Sequence, residues 1–378
     1  MILTTEVPKD IKGEYLDALL NQVCYVEDSV NGIDYNKKHN TLTISYSDAN
    51  AINIIKSRLQ TLFSDIKNLN IKKSRVLLEK KRTEEAHIYK KNSHVTKTYL
   101  NDTDLFLLER IDNIFKEMAT DLGAKIREYP STIEYKSLQK NKYHQNFPQN
   151  IFSIFKAPHD YELINQLRNI EKDIISSNHL RYSYKILQPC ICYHVYDEFE
   201  NSKKNAVEIY TAKGKCFRNE SQWKLDQFRK TEFSMREIIF LGQPDEVKTL
   251  RENFLSKTWD IFISLGLYGK IQTANDPFFF NEDYNKATFQ LLSNAKYELL
   301  YQRINNNFSA IASFNNCNDH LCRAYNIQNK ESFLHSGCVA FGLDRWLEAL
   351  KENHGEDINL WPDYVKNFLS IDKEFALS

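Results

Sequence analysis

The sequence has no excess of charge of either sign, few glycines and no long apolar run. Fifty Lys and Arg balance fifty Asp and Glu in 378 residues, so no overall attraction to nucleic acid or anionic membranes is expected. Ten glycines are too few for a fibrous or flexible chain. The start, MILTTEVPKD, lacks the features of a secretory signal. We therefore expect a soluble cytoplasmic protein without a membrane partner.

Cysteine is also sparse. The seven cysteines are an odd number, scattered through a chain large enough to fold around an apolar core. A disulfide framework is therefore not expected. In a reducing compartment these residues are core thiols or metal ligands.

The chain length and patterning predict a small domain followed by a large one. Residues 11–66 read as helix, strand, strand and helix, which indicates an N-terminal α+β domain over residues 1–70. Residues 67–91 are rich in Lys and Arg and have no apolar period, so we interpret 71–98 as a basic linker or helix. A docking surface for an acidic protein or RNA is the alternative for this stretch.

Residues 99–378 are predicted to form the large domain. Asp102 can cap a helix that Gly123 ends. Its apolar positions follow helical spacing: Leu105, Leu108, Ile111, Phe115, Met118 and Leu122. Strands are expected near 206–216, 233–242 and 308–314, and helices near 246–265 and 283–303. The fold class is therefore α+β, with a largely antiparallel sheet flanked by helices.

Two β-like segments, GKCFRNES and TEFSMREIIFLG, read as a long hairpin. Alternate residues of a strand share a face, so Arg218 and Glu220 point together, as do Phe233, Met235 and Glu237 on the return strand. A guanidinium, a carboxylate and an aromatic ring suit the phosphate, amino group and base of a nucleotide. The structural alternative is a cross-strand ion pair beside a core phenylalanine.

A second candidate phosphate site lies near the carboxyl end. HSGCVAFGLDRWLEAL reads as a strand through Gly342 into a helix with Leu343, Trp346, Leu347 and Leu350 on one side. Arg345 then lies in the first helical turn. Unpaired N–H groups and the positive dipole end of the helix, together with this arginine, favour a polyphosphate.

Together these segments resemble the motifs of class II aminoacyl-tRNA synthetases. FRNE at 217–220 is similar to the second motif and GLDR at 342–345 to the third, while the helix ending near Gly123, followed by Pro130, resembles the first, which forms the dimer interface. Over residues 99–369 the chain most resembles amino acid:carrier protein ligases, truncated relatives of the zinc-containing seryl-tRNA synthetases of methanogens. The segments that carry this resemblance are NFPQNIF, LQPCICYHVY, FSMREIIFLGQPDEV, TANDPFF, ASFNNCNDH and HSGCVAFGLDR.

The resemblance implies an enzyme that activates a small amino acid, glycine or alanine, with ATP and Mg²⁺. The aminoacyl group then passes to the phosphopantetheine thiol of an acyl or peptidyl carrier protein. In this family Arg218 contacts the substrate carboxylate and the α-phosphate, Glu220 the adenine amino group and Arg345 the γ-phosphate, while Phe233 stacks on adenine. A homodimer is also implied.

The resemblance further implies a zinc ion held by Cys190, Glu237 and Cys338, which binds the substrate amine. Two thiolates and one carboxylate leave a fourth tetrahedral position open. Other metal sites remain as alternatives, because Cys190, Cys192 and His194 would share a face of a strand, and Cys317 with Cys322 offers a second pair. Each alone is more typical of packing.

No acidic residue stands where class II enzymes often place a magnesium ligand, just before the third motif. The segment SAIASFNNCND offers Ser313, Asn315 and Asn316, with Asp319 later. How the ATP-bound magnesium ion is held is therefore left open at this point.

Two other functions compete with carrier-protein loading. No sustained heptad repeat precedes Asp102, which argues against a tRNA-gripping coiled coil and hence against tRNA as the acceptor, although the basic stretch 67–91 offers a substitute. A catalytically inactive relative that binds amino acid or nucleotide is the third reading. The intact set Arg218, Glu220 and Arg345 argues against it.

Overall fold

The computed structural model describes residues 1–69, 73–82, 99–170, 175–274, 291 and 293–371. The N-terminal module, residues 1–69, packs three strands against two helices. Its elements are β1 (Ile2–Glu6), α1 (Glu14–Gln22), β2 (Val30–Asn36), β3 (Thr41–Tyr46) and α2 (Ile52–Lys67). The strands are antiparallel in the order β1-β3-β2. The predicted order of helix, two strands and helix is confirmed, and β1 is an additional strand.

The other described elements build a large sheet, a small sheet and the helices around them. They are β4 (Val76–Lys80), α3 (Asp102–Asp121), β5 (Lys125–Arg127), β6 (Thr132–Glu134), α4 (Tyr135–Lys140), α5 (Tyr143–Asn146), β7 (Ser153–Lys156), α6 (Tyr161–Arg168), β8 (Arg181–Leu187), α7 (Cys192–Glu198), β9 (Glu208–Phe217), β10 (Glu232–Gly242), α8 (Pro244–Ser264), β11 (Gly269–Thr273), β12 (Lys296–Gln302), β13 (Phe308–Asn318), α9 (His320–Ala324), β14 (His335–Gly342), α10 (Leu343–His354) and α11 (Asp363–Phe368).

The large sheet has eight strands in the order β4-β11-β12-β13-β14-β10-β9-β5. Every pair in it is antiparallel except β5 with β9. The small sheet has the order β6-β8-β7. This α+β architecture, with a largely antiparallel sheet, is the one predicted. None of the helices among the described residues combines the length and apolar character needed to cross a bilayer.

The two faces of the large sheet have different roles because side chains alternate along each strand. On one face Ile238 and Phe240 of β10 and Phe341 of β14 pack into the main core with α3, α8 and α10. The predicted apolar side of α10 lies in this core, since Leu343, Trp346, Leu347 and Leu350 are fully buried. On the other face Phe233, Met235 and Glu237 lie away from the main core.

Helix α3 is joined to the sheet by a buried ion pair. Arg236 of β10 donates from Nε and Nη2 to the two carboxylate oxygens of Asp112, the second bond measuring 2.9 Å. The Arg236 Nη1 group also donates to Thr211 Oγ1 at 3.1 Å. Both charged side chains are less than 10% exposed. The pair therefore fixes α3 against the centre of the sheet.

Three local predictions differ from the structure. The helix predicted over 283–303 is a strand over Lys296–Gln302, where Tyr297, Leu299 and Tyr301 alternate into the core; residues 283–290 lie outside the described residues. In the predicted linker or helix 71–98, β4 pairs with β11, although 71–72 and 83–98 are not described. Helix α3 is capped by Asn101 rather than Asp102, through a capping box with Asp104.

We expect Asp112→Ala to lower the free energy of unfolding by about 3 to 5 kcal/mol, because it leaves the Arg236 guanidinium buried without a counter-charge. Chemical denaturation measures the change. Asp363→Ala, which breaks the exposed pair with Lys366, is the matched control and costs less than about 1 kcal/mol. Equal losses for the two variants would contradict this account of the buried pair.

Candidate active site

Glu237 lies at the centre of the sheet face that α3, α8 and α10 leave uncovered. It pairs with Ala212 of β9 on one side and Ala340 of β14 on the other. Two small neighbours leave room above the carboxylate. Only 2% of the residue is exposed. Burial, followed by the nearby Cys338 thiol, raises the pKa of Glu237 to about 7.

The loop between β8 and α7 brings a second segment against this carboxylate. The amides of Ile191 and Cys192 donate to the two Glu237 oxygens at 3.3 and 2.7 Å. Gln188 anchors the loop to β9, because its side-chain amide donates to the Lys215 carbonyl at 2.6 Å. The loop therefore holds Cys190 next to Glu237.

Three potential metal ligands meet at this point. One ligand atom each from Cys190, Cys192 and Glu237 lies within 4.8 Å of the others. The two sulfur atoms are 3.5 Å apart, close to the roughly 3.8 Å expected for two thiolates on one tetrahedral zinc ion. Burial raises the pKa of the Cys190 thiol, because a low-dielectric surrounding disfavours the thiolate. This set of donors suits zinc.

Cys338, a predicted ligand, lies beside this group. Cys338 lies on β14 opposite Ile239 of β10, and 7% of the residue is exposed. Hydrogen bonds with the Cys190 and Cys338 thiols raise the pKa of Cys192. The amide of Asn315 also donates to the Cys338 sulfur at 3.4 Å. The predicted residues Cys190, Glu237 and Cys338 thus converge, and Cys192 joins them.

The other residues considered as metal ligands from the sequence lie in different surroundings. Cys192 begins helix α7, so Cys190, Cys192 and His194 do not share a strand face, and the His194 ring stacks on Tyr129 at 5.2 Å between centroids. Cys322 is fully buried in the apolar cluster around α7 and α9. No disulfide joins any of the seven cysteines, all of which lie in described ranges. This agrees with the expectation from composition.

A group of arginines lies at the end of the same sheet face. Arg345, in the first turn of α10, donates to the Ala310 carbonyl at 2.7 Å. Burial, followed by the charges of Arg218 and Arg229, lowers the pKa of Arg345 to about 10. Arg218 also interacts electrostatically with Cys190. The cationic group and the thiol group are therefore neighbours.

The hairpin predicted from the sequence is formed by β9 and β10. Strand β9 ends at Phe217, however, so Arg218 and Glu220 lie in the connecting loop rather than on a shared strand face. The Arg218 guanidinium lies 5.3 Å from the centroid of the Phe233 ring. Glu220 pairs with Arg229 at 3.0 Å. All four predicted nucleotide contacts are still brought to one end of the sheet.

Glu298 is a functional candidate that sequence reasoning missed. It lies on β12 opposite Ser313 of β13 and interacts electrostatically with Arg345. Its carboxylate pairs with Lys296 at 3.1 Å. Alternation in KYELLYQ was the available signal, but the segment was read as a helix. Asp319, considered earlier for magnesium, instead pairs with Arg323.

Comparison with known proteins agrees with this geometry. Amino acid--[acyl-carrier-protein] ligases 1 and 2 of Bradyrhizobium diazoefficiens are 29% and 28% identical to the chain, over 68% and 66% of its length and 79% and 75% of theirs. The chain is a homologue of these ligases. A type-2 serine--tRNA ligase of Methanopyrus kandleri is 24% identical over 72% of this chain and 54% of that protein. No protein-family model matches the chain.

Solved structures identify the fold of this homologue. M. kandleri SerRS, crystallised with A. aeolicus tRNASec, superposes with a TM-score of 0.68 at 17% identity, covering 99% of this chain and 78% of that one. A cytoplasmic serine-tRNA ligase of Naegleria fowleri gives 0.57 at 13% identity, covering 86% and 80%. The fold is that of class II aminoacyl-tRNA synthetases, as the sequence motifs predicted.

We expect the purified protein to carry one zinc ion per chain, and Cys190→Ser and Glu237→Gln each to lose it, because both residues belong to the predicted set with Cys338 and to the group with Cys192 that the structure brings together. Elemental analysis measures the metal content. Cys24→Ser, in the N-terminal module, is the control and keeps the metal. Cys192→Ser and Cys338→Ser then identify the remaining thiolate. Full zinc occupancy in Cys190→Ser would rule out this site.

Proposed function

We propose that the chain activates a small amino acid with ATP and transfers the aminoacyl group to the phosphopantetheine thiol of an acyl or peptidyl carrier protein. The names of the two Bradyrhizobium relatives, which match most of their own length, support the general activity.

The observation that best supports ATP as a substrate is the presence of two further guanidinium groups, those of Arg218 and Arg229, near the buried Arg345. Burial and the charges of Arg218 and Arg229 oppose the charge on Arg345. Such a cluster is unfavourable without an anion and becomes favourable when it binds one. The triphosphate of ATP supplies several negative charges at this position.

In the first step, a carboxylate oxygen of the amino acid attacks the α-phosphorus and pyrophosphate leaves. Arg218 orients the carboxylate and the α-phosphate, and Arg345 holds the γ-phosphate. Phe233 and Glu220 position the adenine ring. The protein contributes alignment and neutralisation of charge, which are the main needs of phosphoryl chemistry.

Magnesium accompanies ATP in this proposal. Glu298 and Ser313 face each other on β12 and β13, near Arg345. Carboxylate and hydroxyl oxygens are ligands that Mg²⁺ accepts beside the phosphates. We assign these two side chains as its protein contacts. They replace the acidic residue that the sequence lacks before the third motif.

Zinc fits the donor set of Cys190, Glu237 and a second thiolate, and when bound it supplies a Lewis-acid contact for the neutral substrate amine. The chain's own contribution is to hold these donors together where they are largely buried, since Glu237 is 2% and Cys338 7% exposed. Ile191 and Met235 are buried on the same face of the sheet. Their bulk favours a substrate with little or no side chain, glycine or alanine.

A carrier protein is the acceptor that fits best. Residues 1–69 hold seven Lys and Arg against nine Asp and Glu, a net charge of −2, which is a poor basis for gripping the phosphates of tRNA. Residues 70–72 and 83–91 of the basic stretch lie outside the described residues.

A cytoplasmic location fits the need for cysteine ligands that are kept in the reduced thiol form. The homodimer stays a prediction.

We expect the protein to exchange pyrophosphate into ATP in the presence of glycine or alanine and no other standard amino acid. Arg218→Ala and Arg345→Ala are expected to lower the exchange rate by about 10²-fold or more, because each removes a positive charge that contacts the phosphates of ATP. Arg181→Ala, whose guanidinium donates among the described residues to the carbonyls of Asn178 and Leu180, is the matched control. Absence of exchange with every amino acid would favour a non-catalytic binding protein.

The acceptor is tested by incubating enzyme, ATP and the activated amino acid with carrier protein and, separately, with tRNA. Mass spectrometry is expected to find the aminoacyl group on carrier protein that bears phosphopantetheine and not on the same protein without it, because only the former has the thiol. Charging of tRNA, with a carrier protein left unmodified, would support the seryl-tRNA synthetase alternative.

A further inference from the structure

The N-terminal module contacts the loop that holds the proposed adenine ligand. The loop between β9 and β10, residues 218–231, contains Glu220 and then a short helical turn at Gln222–Lys224. Strand β2 packs against this turn. The module is thus placed against the ATP site rather than apart from it.

Lys224 makes the central contact. Its ammonium donates to the carbonyl of Asn21, at 3.0 Å, in the last turn of α1. The last four carbonyls of a helix lack partners within the helix and carry its negative dipole end, so a cation is favoured there. Burial lowers the pKa of Lys224, which means that the ammonium is drawn out of water to make this contact.

Tyr25 adds a second contact. The Lys224 ammonium lies 5.6 Å from the centroid of its ring. The Tyr25 hydroxyl interacts with Ser221, and burial, followed by the charges of Cys24 and Glu220, raises its pKa to about 12. The Tyr25 side chain therefore contacts Ser221, just before the turn and next to Glu220, and Lys224, at the end of the turn.

The second half of the loop is held by the catalytic domain. Asp226 pairs with Arg303, Phe228 stacks on Tyr301 at 5.8 Å between centroids, and Lys230 pairs with Asp344 at 3.3 Å. Among the described contacts, the Gln222–Lys224 turn is held chiefly from the N-terminal side. Glu220 also pairs with Arg229, and the Asn219 amide donates to the Asn150 carbonyl. Release of the Lys224 contact would therefore loosen the turn that follows Glu220 and remove one of the restraints on its position.

We propose that the N-terminal module is a working part of the ATP site, in which Tyr25 and the carboxyl end of α1 are positioning groups that hold the Gln222–Lys224 turn and so place Glu220 against adenine. This inference rests on the proposed function, because it takes Glu220 as the adenine contact. It assigns residues 1–69 a role in nucleotide binding.

The test compares full-length variants in pyrophosphate exchange. Lys224→Met is expected to raise KM for ATP at least five-fold while KM for the amino acid and kcat stay within two-fold, since only the adenine contact is loosened. Lys224→Arg restores part of the affinity. Tyr25→Phe, which keeps the ring, gives a smaller rise. Lys67→Met breaks an ion pair with Asp10 in the same module, does not contact the loop and serves as the control.

A wild-type KM for ATP in both Lys224→Met and Tyr25→Phe would overturn the proposal, as would equal changes in all three kinetic constants. If the wild-type enzyme shows no exchange with any amino acid, the proposed function fails by itself. Calorimetric titration with ATP alone then tests the inference, with the same five-fold weakening expected in Lys224→Met. Unchanged ATP affinity in that variant would reject it.

Discussion

Side-chain alternation along β10 is the constraint on which the rest of the structure depends. Its even-numbered residues, Arg236, Ile238 and Phe240, face the helices, while Glu237 faces the site. Antiparallel pairing with β9 and β14 extends this division across the sheet. A slip of one residue would exchange the two sets and bury the wrong charges. The register therefore fixes the core and the site at once.

Two clusters of opposite charge character lie side by side on the site face. Burial raises the pKa of Glu237 to about 7, and burial with the charges of Arg218 and Arg229 lowers the pKa of Arg345 to about 10. Arg218 is close to both, since it interacts with Cys190 and with Arg345. Each cluster is costly when buried alone. The two neighbouring clusters therefore favour the binding of a metal cation and of a polyanion, which are the ligands that the proposed reaction brings together.

The predictable parts of the fold are those with a clear local period. Helix α3, the β9–β10 hairpin and the β14–α10 junction follow from apolar spacing that spans each whole element. Segment Lys296–Gln302 differs from the helix predicted over 283–303, because its strand character comes from pairing with β11 and β13, which the single sequence does not show. Short β4 carried no periodic signal among its basic neighbours.

The residues of the candidate site that lie in the matched motifs could be predicted from the sequence. Those that reach the site only through tertiary contacts could not. Cys190, Glu237, Cys338 and the two motif arginines were identified in advance and lie together. Cys192 is not among the ligands that the resemblance implies, and the sequence offers it only through a strand face that the start of α7 excludes. Glu298 reaches the site only through the pairing of β12 with β13. Such cross-strand neighbours have no signature in a single sequence.

One edge strand of the large sheet, β4, comes from the part of the chain that precedes helix α3. It covers one edge of the sheet by pairing with β11 from Gly269 to Gln272. A protein cut to begin at Tyr99 would keep every proposed ligand and yet expose the backbone N–H and C=O groups of β11. Bare edges of this kind recruit strands from other molecules. Self-association of the shortened enzyme is therefore a hazard of trimming it to its motifs, in addition to the loss of the contacts between the N-terminal module and the ATP site.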